Sequence, residues 1–238
     1  MFGEIRNEHG ERLDYTYHKG DNERIVVIGH GVTGNKDRPA LIALAEGLAD
    51  AGISALRFSF SGNGESEGAF TDSTITKEVA DLGSILNVLN DYKVCYVGHS
   101  MGGAVGVLRA ATDERIQVLV SLAGMVHTKE FAKREFGDVT PDEGSMWDEP
   151  DCPLSKAYMD DMATIDSVAK QASKFAVPWL LVHGTEDDIV PLQDSIDILN
   201  YANEPTKLLE LPGVDHVFFG DSSAIMVEKV VAWISQKL

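Results

Sequence analysis

Short apolar runs alternate along this chain with longer amphipathic stretches, and that alternation restricts the fold more than any other feature of the 238 residues. Strand candidates are Gly3–Asn7, Leu13–Tyr17, Ile25–Gly29, Ser54–Phe60, Lys93–Val97, Gln117–Leu122, Trp179–His183 and Lys207–Leu211. Between them lie helical stretches. Pro39, at a first-turn position, leads Ala40 to Ala51, while Ile75, Val79, Leu82, Leu86 and Leu89 fall on one apolar stripe. Strands separated by helices pair in parallel with helices on both faces, so the expectation is an α/β fold around an eight-stranded, mostly parallel sheet. Ligands of such open sheets bind at the carboxyl ends of the strands.

The turn after Lys93–Val97 carries the chemistry. Gly98-His99-Ser100-Met101-Gly102 sits where an apolar strand passes into a helix of small residues. A Gly-x-Ser-x-Gly turn of this kind presents the serine hydroxyl at a tight bend, with glycines where a Cβ would collide with backbone. The string alone is a weak signal, with about 0.08 chance matches expected in this length at ordinary residue usage. A serine hydroxyl also needs a base to take its proton and an acid to orient that base. His216 is the candidate base, on the loop Pro212-Gly213-Val214-Asp215-His216 that leaves the last strand. The strand ending at His183 opens into Gly184-Thr-Glu-Asp187-Asp188-Ile-Val-Pro191, which supplies Asp187 as acid, with Asp188 and Glu186 as rivals. Asp215 adjoins His216, and adjacent side chains point apart, so its expected role is structural. Two backbone N–H donors must face the oxyanion. Met101 brings one with the turn, and Val32, in His30-Gly31-Val32-Thr33-Gly34, is assigned the other.

The order Ser100, Asp187, His216 is that of α/β-hydrolases. Beside it, His30-Gly31-x-x-Gly34-Asn35-Lys36, Ser59-Phe-Ser-Gly62-Asn-Gly64-Glu-Ser66-Glu-Gly68 and Gly98-His-Ser-Met-Gly-Gly103 resemble the small bacterial carboxylesterases of the cinnamoyl and feruloyl esterase type. Nearly the whole chain shares the likeness to α/β-hydrolases. Where such relatives commonly carry an aspartate, this chain has Ser59. The resemblance implies a serine hydrolase that cleaves carboxylic esters of small or aromatic acyl groups through an acyl-enzyme. Family spacing, Gly184-x-x-Asp187-x-x-Val190, favours Asp187 and leaves Asp188 to cap a helix beginning near Pro191. Monoacylglycerol lipases, thioesterases and other acyl hydrolases use the same triad, and a scaffold that has lost turnover would be a ligand-binding protein.

About fifty residues, Met125 to Val177, separate the sixth strand candidate from Pro178, far beyond the usual connection of about 2 to 6. They are expected to form a cap insertion (125–177) on a single domain spanning 1–238. Trp147, Met146, Ile189 and Val217 are the candidate substrate contacts. The competing role for the Met and aromatic residues of the insertion is to glue it to the core. His127 is a candidate for the site lining, whereas His9, His18, His30, His99 and His183 are read as structural.

Glu135 to Asp166 holds ten acids and one base, a field that would repel anionic substrates. The whole chain has 20 basic and 38 acidic residues, a net charge of −18 with no basic patch, which makes nucleic acid and anionic membranes poor partners. No run approaches the roughly 18 apolar residues of a membrane span. Met1 to Tyr17 reads as a hairpin rather than a signal peptide, so the expected setting is cytoplasmic, with a small-molecule ester as partner and a homodimer left open. Cys95, in a strand, and Cys152, in the insertion, form no disulfide framework. Metal-ligand spacings, phosphate loops and dinucleotide fingerprints are missing, and no cofactor is expected.

Overall fold

A computed structural model of the chain describes residues 2–20 and 23–238; Met1, Asp21 and Asn22 lie outside the described residues. The N-terminal strands β1 (Ile5–Arg6) and β2 (Arg12–Leu13) pair only with each other. The main sheet contains β3 (Tyr15–His18), β4 (Arg24–Gly29), β5 (Ser54–Phe58), β6 (Lys93–His99), β7 (Ile116–Leu122), β8 (Trp179–Gly184) and β9 (Thr206–Leu211), in the order β3-β5-β4-β6-β7-β8-β9. Only β3 runs antiparallel to its neighbour.

The expected eight-stranded sheet therefore has seven strands, because the first candidate does not join it. Asn7 explains the detachment. Its Oδ1 accepts the N–H groups of His9 and Glu11 at 3.0 Å each, closing a turn, and its Nδ2 donates to Asp81 at 2.8 Å. This polar anchor holds the ribbon against α2 (Ile75–Asn87) and away from the sheet edge.

Side chains alternate along the parallel strands and so feed two cores. Ile25, Val27, Val94, Tyr96, Trp179 and Leu181 join α2 and α3 (Met101–Ala110) on one face, whereas Val26, Ile28, Cys95, Val97, Leu180 and Val182 meet α1 (Pro39–Asp50) and α7 (Asp221–Lys237) on the other. Strands buried on both faces must be apolar at nearly every position, which is why β4 reads as an unbroken run. Truncating one of these side chains to Ala is expected to cost about 2–5 kcal/mol.

Between β7 and β8 the chain makes the long excursion expected from its spacing. It contains α4 (Thr128–Phe136), α5 (Lys156–Ile165) and two short 3₁₀ turns, Met146–Asp148 and Ala169–Lys174. Ser155 caps α5 by accepting the Tyr158 N–H at 3.1 Å. Phe131, Phe136, Leu154, Tyr158 and Met162 seal the excursion onto the α2–α3 face. The gluing role weighed for these residues is therefore the one they fill. α6 (Leu192–Leu199) follows β8. Both cysteines are free, and among the described residues no helix is long and apolar enough to cross a membrane.

Candidate active site

Ser100 links β6 to α3 at φ 54° and ψ −119°, a conformation that strains any residue with a Cβ. Neighbouring backbone holds it there. The Ser100 N–H donates to the Leu122 carbonyl at 2.9 Å, and the Ser100 carbonyl accepts from Gly103 at 2.9 Å and Met125 at 3.0 Å. Glycine is required where the bend closes: a Cβ on Gly98 would stand 2.1 Å from the Gly102 carbonyl oxygen, and one on Gly102 would stand 2.6 Å from that of His30.

The loops after β8 and β9 meet beside this turn. Asp187 Oδ2 accepts from His216 Nδ1 at 2.8 Å, while Oδ1 accepts the N–H groups of Ile189 and Val190 at 3.0 and 2.8 Å. The structure thus brings Asp187, and neither Asp188 nor Glu186, to the histidine. Asp188 does not cap α6 either: Pro191 occupies that position, with no side-chain cap bond. Because Nδ1 donates to a carboxylate, Nε2 of His216 is left as the basic nitrogen. Burial by itself would raise the Asp187 carboxyl, but hydrogen bonds from His183 and His216, the His216 charge and the Val190 amide together hold it well below the usual carboxylate range.

His183, expected to be structural, does more than end its strand. It lies fully buried with Nε2 3.3 Å from Asp187 Oδ2 and 2.8 Å from the Val190 carbonyl, and its Nδ1 is 2.8 Å from Ser195 Oγ. It therefore braces Asp187 from the side opposite His216. Sequence carried no signal for this, since the contact depends on how the loop 184–191 folds back. Asp215 has the structural role expected: its Oδ1 accepts the Phe219 N–H at 3.0 Å.

Two further histidines shape the floor. His99 Nε2 donates to the His216 carbonyl at 2.9 Å, and burial, followed by the charge of His216, depresses its basicity to about 3. His30 donates from Nδ1 to the Gly31 carbonyl at 2.9 Å and accepts the Phe60 N–H on Nε2 at 3.0 Å; burial lowers it to about 4. Both rings stay neutral and fix loops. His127 instead pairs with Asp197 at 3.0 Å and does not reach the cavity lining.

Ser100 and His216 line one cavity of about 690 Å³, within the usual range for small-molecule sites. Of the candidate substrate contacts, Trp147, Ile189 and Val217 line it. Met146 does not. In the turn Met146–Asp148, Trp147 adopts a left-handed conformation (φ 49°, ψ 35°), which turns its indole outward while Met146 packs into the core, 2 % exposed. Trp147 Nε1 donates to Glu135 at 3.1 Å.

Val32 lines the cavity; the Met101 side chain points away, its sulfur 3.7 Å from the Tyr158 hydroxyl. Neither the Val32 nor the Met101 N–H donates to another described residue. Phe218, Phe219 and Arg38 also line the cavity and were not anticipated. Phe219 is 80 % exposed. Residues of this cavity come from six separate stretches of chain, which no local pattern could have assembled.

Comparison with known proteins agrees with this architecture. The structure titled as ferulic acid bound to Est1E from Butyrivibrio proteoclasticus superposes with a TM-score of 0.88 at 25% identity, covering 98% of each chain. The mitochondrial palmitoyl-protein thioesterase ABHD10 of Bos taurus is 29% identical over 202 residues, spanning 78% of this chain and 64% of the relative. An uncharacterized protein, YfhR of Salmonella typhi, is 28% identical over 218 residues, covering 88% and 70% respectively. The prolyl oligopeptidase family model matches residues 74–238. That match takes in the serine turn, Asp187 and His216, and the chain accordingly belongs to the prolyl oligopeptidase family, as an α/β-hydrolase of the serine ester hydrolase type.

Proposed function

We propose that Ser100, His216 and Asp187 act as a catalytic triad that hydrolyses carboxylic esters of small or aromatic acyl groups. The observation that carries this reading is the 2.8 Å bond from His216 Nδ1 to a buried, ionised Asp187, beside a strained serine in the same cavity.

In the reaction, His216 Nε2 takes the Ser100 hydroxyl proton as the oxygen attacks the ester carbonyl. The Val32 and Met101 amides receive the oxyanion, a contribution of about 2.7–4 kcal/mol per donor in comparable sites. Asp187 holds the ring and stabilises the imidazolium. Collapse of the tetrahedral intermediate expels the alcohol, which takes the proton from His216 and leaves Ser100 acylated. Water activated by the same histidine then releases the acid. The excursion between β7 and β8 serves as a cap, since Trp147 and Glu149 supply part of the wall.

A second reading, acyl thioester hydrolysis, is favoured by the likeness to the ABHD10 thioesterase and by the apolar character of the cavity wall. The test is a substrate panel of short p-nitrophenyl esters, methyl ferulate, a long-chain monoacylglycerol and an acyl-CoA, run with wild type and Ser100→Ala. Serine-dependent turnover led by methyl ferulate or the short esters supports the proposal, and a lead for the acyl-CoA moves it to the thioesterase. Ester turnover retained in Ser100→Ala would sink the triad. No turnover, together with no labelling by a fluorophosphonate, would favour a binding protein.

A further inference from the structure

We infer that Arg38 is the specificity-determining residue of this cavity and that it receives an anionic group, carboxylate or phosphate, carried by the substrate away from the scissile carbonyl. The inference rests on the ester-hydrolase reading of the same site. Arg38 lines the cavity that holds Ser100 and His216, and it is the only Lys or Arg in that lining. Its Nη2 donates to the Thr33 carbonyl at 2.9 Å, which tethers the guanidinium and leaves its remaining donors available.

The neighbouring cations are treated differently. Lys36 pairs with Asp14 at 3.2 Å and Asp37 at 2.7 Å, and Arg57 pairs with the same Asp37. Arg38, next in the chain, has no carboxylate within ion-pair distance among the described residues, although acids outnumber bases 38 to 20. An exposed arginine left without a carboxylate partner in so acidic a chain, beside a largely apolar cavity wall, is a recognition group for a carboxylate or phosphate.

The acidic field of the excursion does not oppose this at short range. Of the ten acids between Glu135 and Asp166, only Glu149 reaches the lining, where its Oε2 receives the Cys152 thiol at 3.8 Å. Glu149 is thus the one local charge that competes with the anion.

The experiment measures kcat/KM at low salt for two matched pairs. Mono-p-nitrophenyl glutarate against p-nitrophenyl valerate places the anion on the acyl side. Butyryl-CoA against butyryl-N-acetylcysteamine places it on the leaving-group side. We expect an anionic preference of about tenfold or more in one pair, and the pair that shows it identifies the source. That ratio should fall towards one in Arg38→Met, be partly kept in Arg38→Lys, rise in Glu149→Gln and shrink with added salt.

A ratio at or below one in both pairs, or a ratio that survives Arg38→Met, overturns the inference. So does equal loss for both members of a pair, because a purely structural role through the Thr33 carbonyl would act on every substrate alike. If wild type turns over none of the four substrates, the esterase reading fails separately. Calorimetric binding of glutarate and CoA then decides: binding that is lost in Arg38→Met sustains the anion site, and no binding by wild type rejects it.

Discussion

Two regions of this molecule bury carboxyl groups, and they do opposite things with them. Asp187, on the loop after β8, has a fully buried side chain yet is held towards its ionised form, because two imidazoles and two backbone N–H groups converge on its oxygens. Glu78, on α2, is 1 % exposed and receives only the Ser73 hydroxyl, at 3.2 Å, while its Oε2 has no partner. Burial pushes Glu78 well above the ordinary carboxyl range, and the nearby Asp81 charge pushes it further. Asp81 is raised too, by burial, although it accepts from Asn7 and from the Ser61 N–H at 2.8 Å each. Desolvation acts on all three groups; the partners decide the charge. An acid set to stabilise an imidazolium needs donors, whereas burial with a single donor pushes an acid towards its neutral form.

The sharpest way to break this contrast is to neutralise each acid in turn. Asp187→Asn should lower kcat by about 10⁴-fold, since an amide both removes the charge and favours the wrong imidazole tautomer. Glu78→Gln should change kcat by less than about twofold, because burial already favours the neutral form that Gln mimics and Glu78 does not line the cavity. Comparable losses in steady-state ester hydrolysis would mean that the two regions are not distinct.

His183→Phe tests the brace more gently. Losing one donor to Asp187 should reduce kcat by about tenfold, with KM little changed. A change in KM alone would place His183 outside the catalytic geometry.

Stability against pH should separate the regions by sign. Asp187 is lowered in the fold, so its contribution is present above the unfolded value of about 3.9 and is lost as pH falls below it. Glu78 is raised, so its contribution is complete below about 4.3 and is lost as pH rises through the folded value. His30, lowered to about 4, adds a loss that begins near pH 6.5 and deepens as pH falls towards 4. Thermal melts of wild type and Glu78→Gln across this range should therefore coincide on the acid side and diverge on the alkaline side, where the variant loses less. Divergence on the acid side alone would reverse the assignment. The smallest effect is expected at the cavity wall, where Trp147→Ala should raise KM by about two- to fivefold through lost apolar contact, with kcat nearly constant.

Much of the site could be read from the chain alone. An apolar strand running into Gly98-His99-Ser100-Met101-Gly102 admits few backbone paths, because its glycines face carbonyl oxygens at distances no Cβ tolerates. Strand alternation placed Ser100, Asp187 and His216 at the same edge of the sheet, while the preference for Asp187 over Asp188 came from the resemblance to α/β-hydrolases. These are short-range constraints, written in consecutive residues.

What depended on long-range packing could not be read that way. Asn7 reaching Asp81 takes the first ribbon off the sheet, and the left-handed turn at Trp147 leaves that residue on the cavity wall while Met146, also expected there, packs into the core. His183 becomes the brace of Asp187, and Arg38 enters a cavity whose other walls come from residues up to Ser223. By itself the sequence determined the α/β alternation, the tight serine turn and the candidate residues Ser100, Asp187 and His216 on loops at strand ends, because periodicity and turn sterics act locally. The tertiary structure alone decided which side chains share the cavity and which buried acid is charged, because burial and hydrogen-bond partners are set only when distant segments meet.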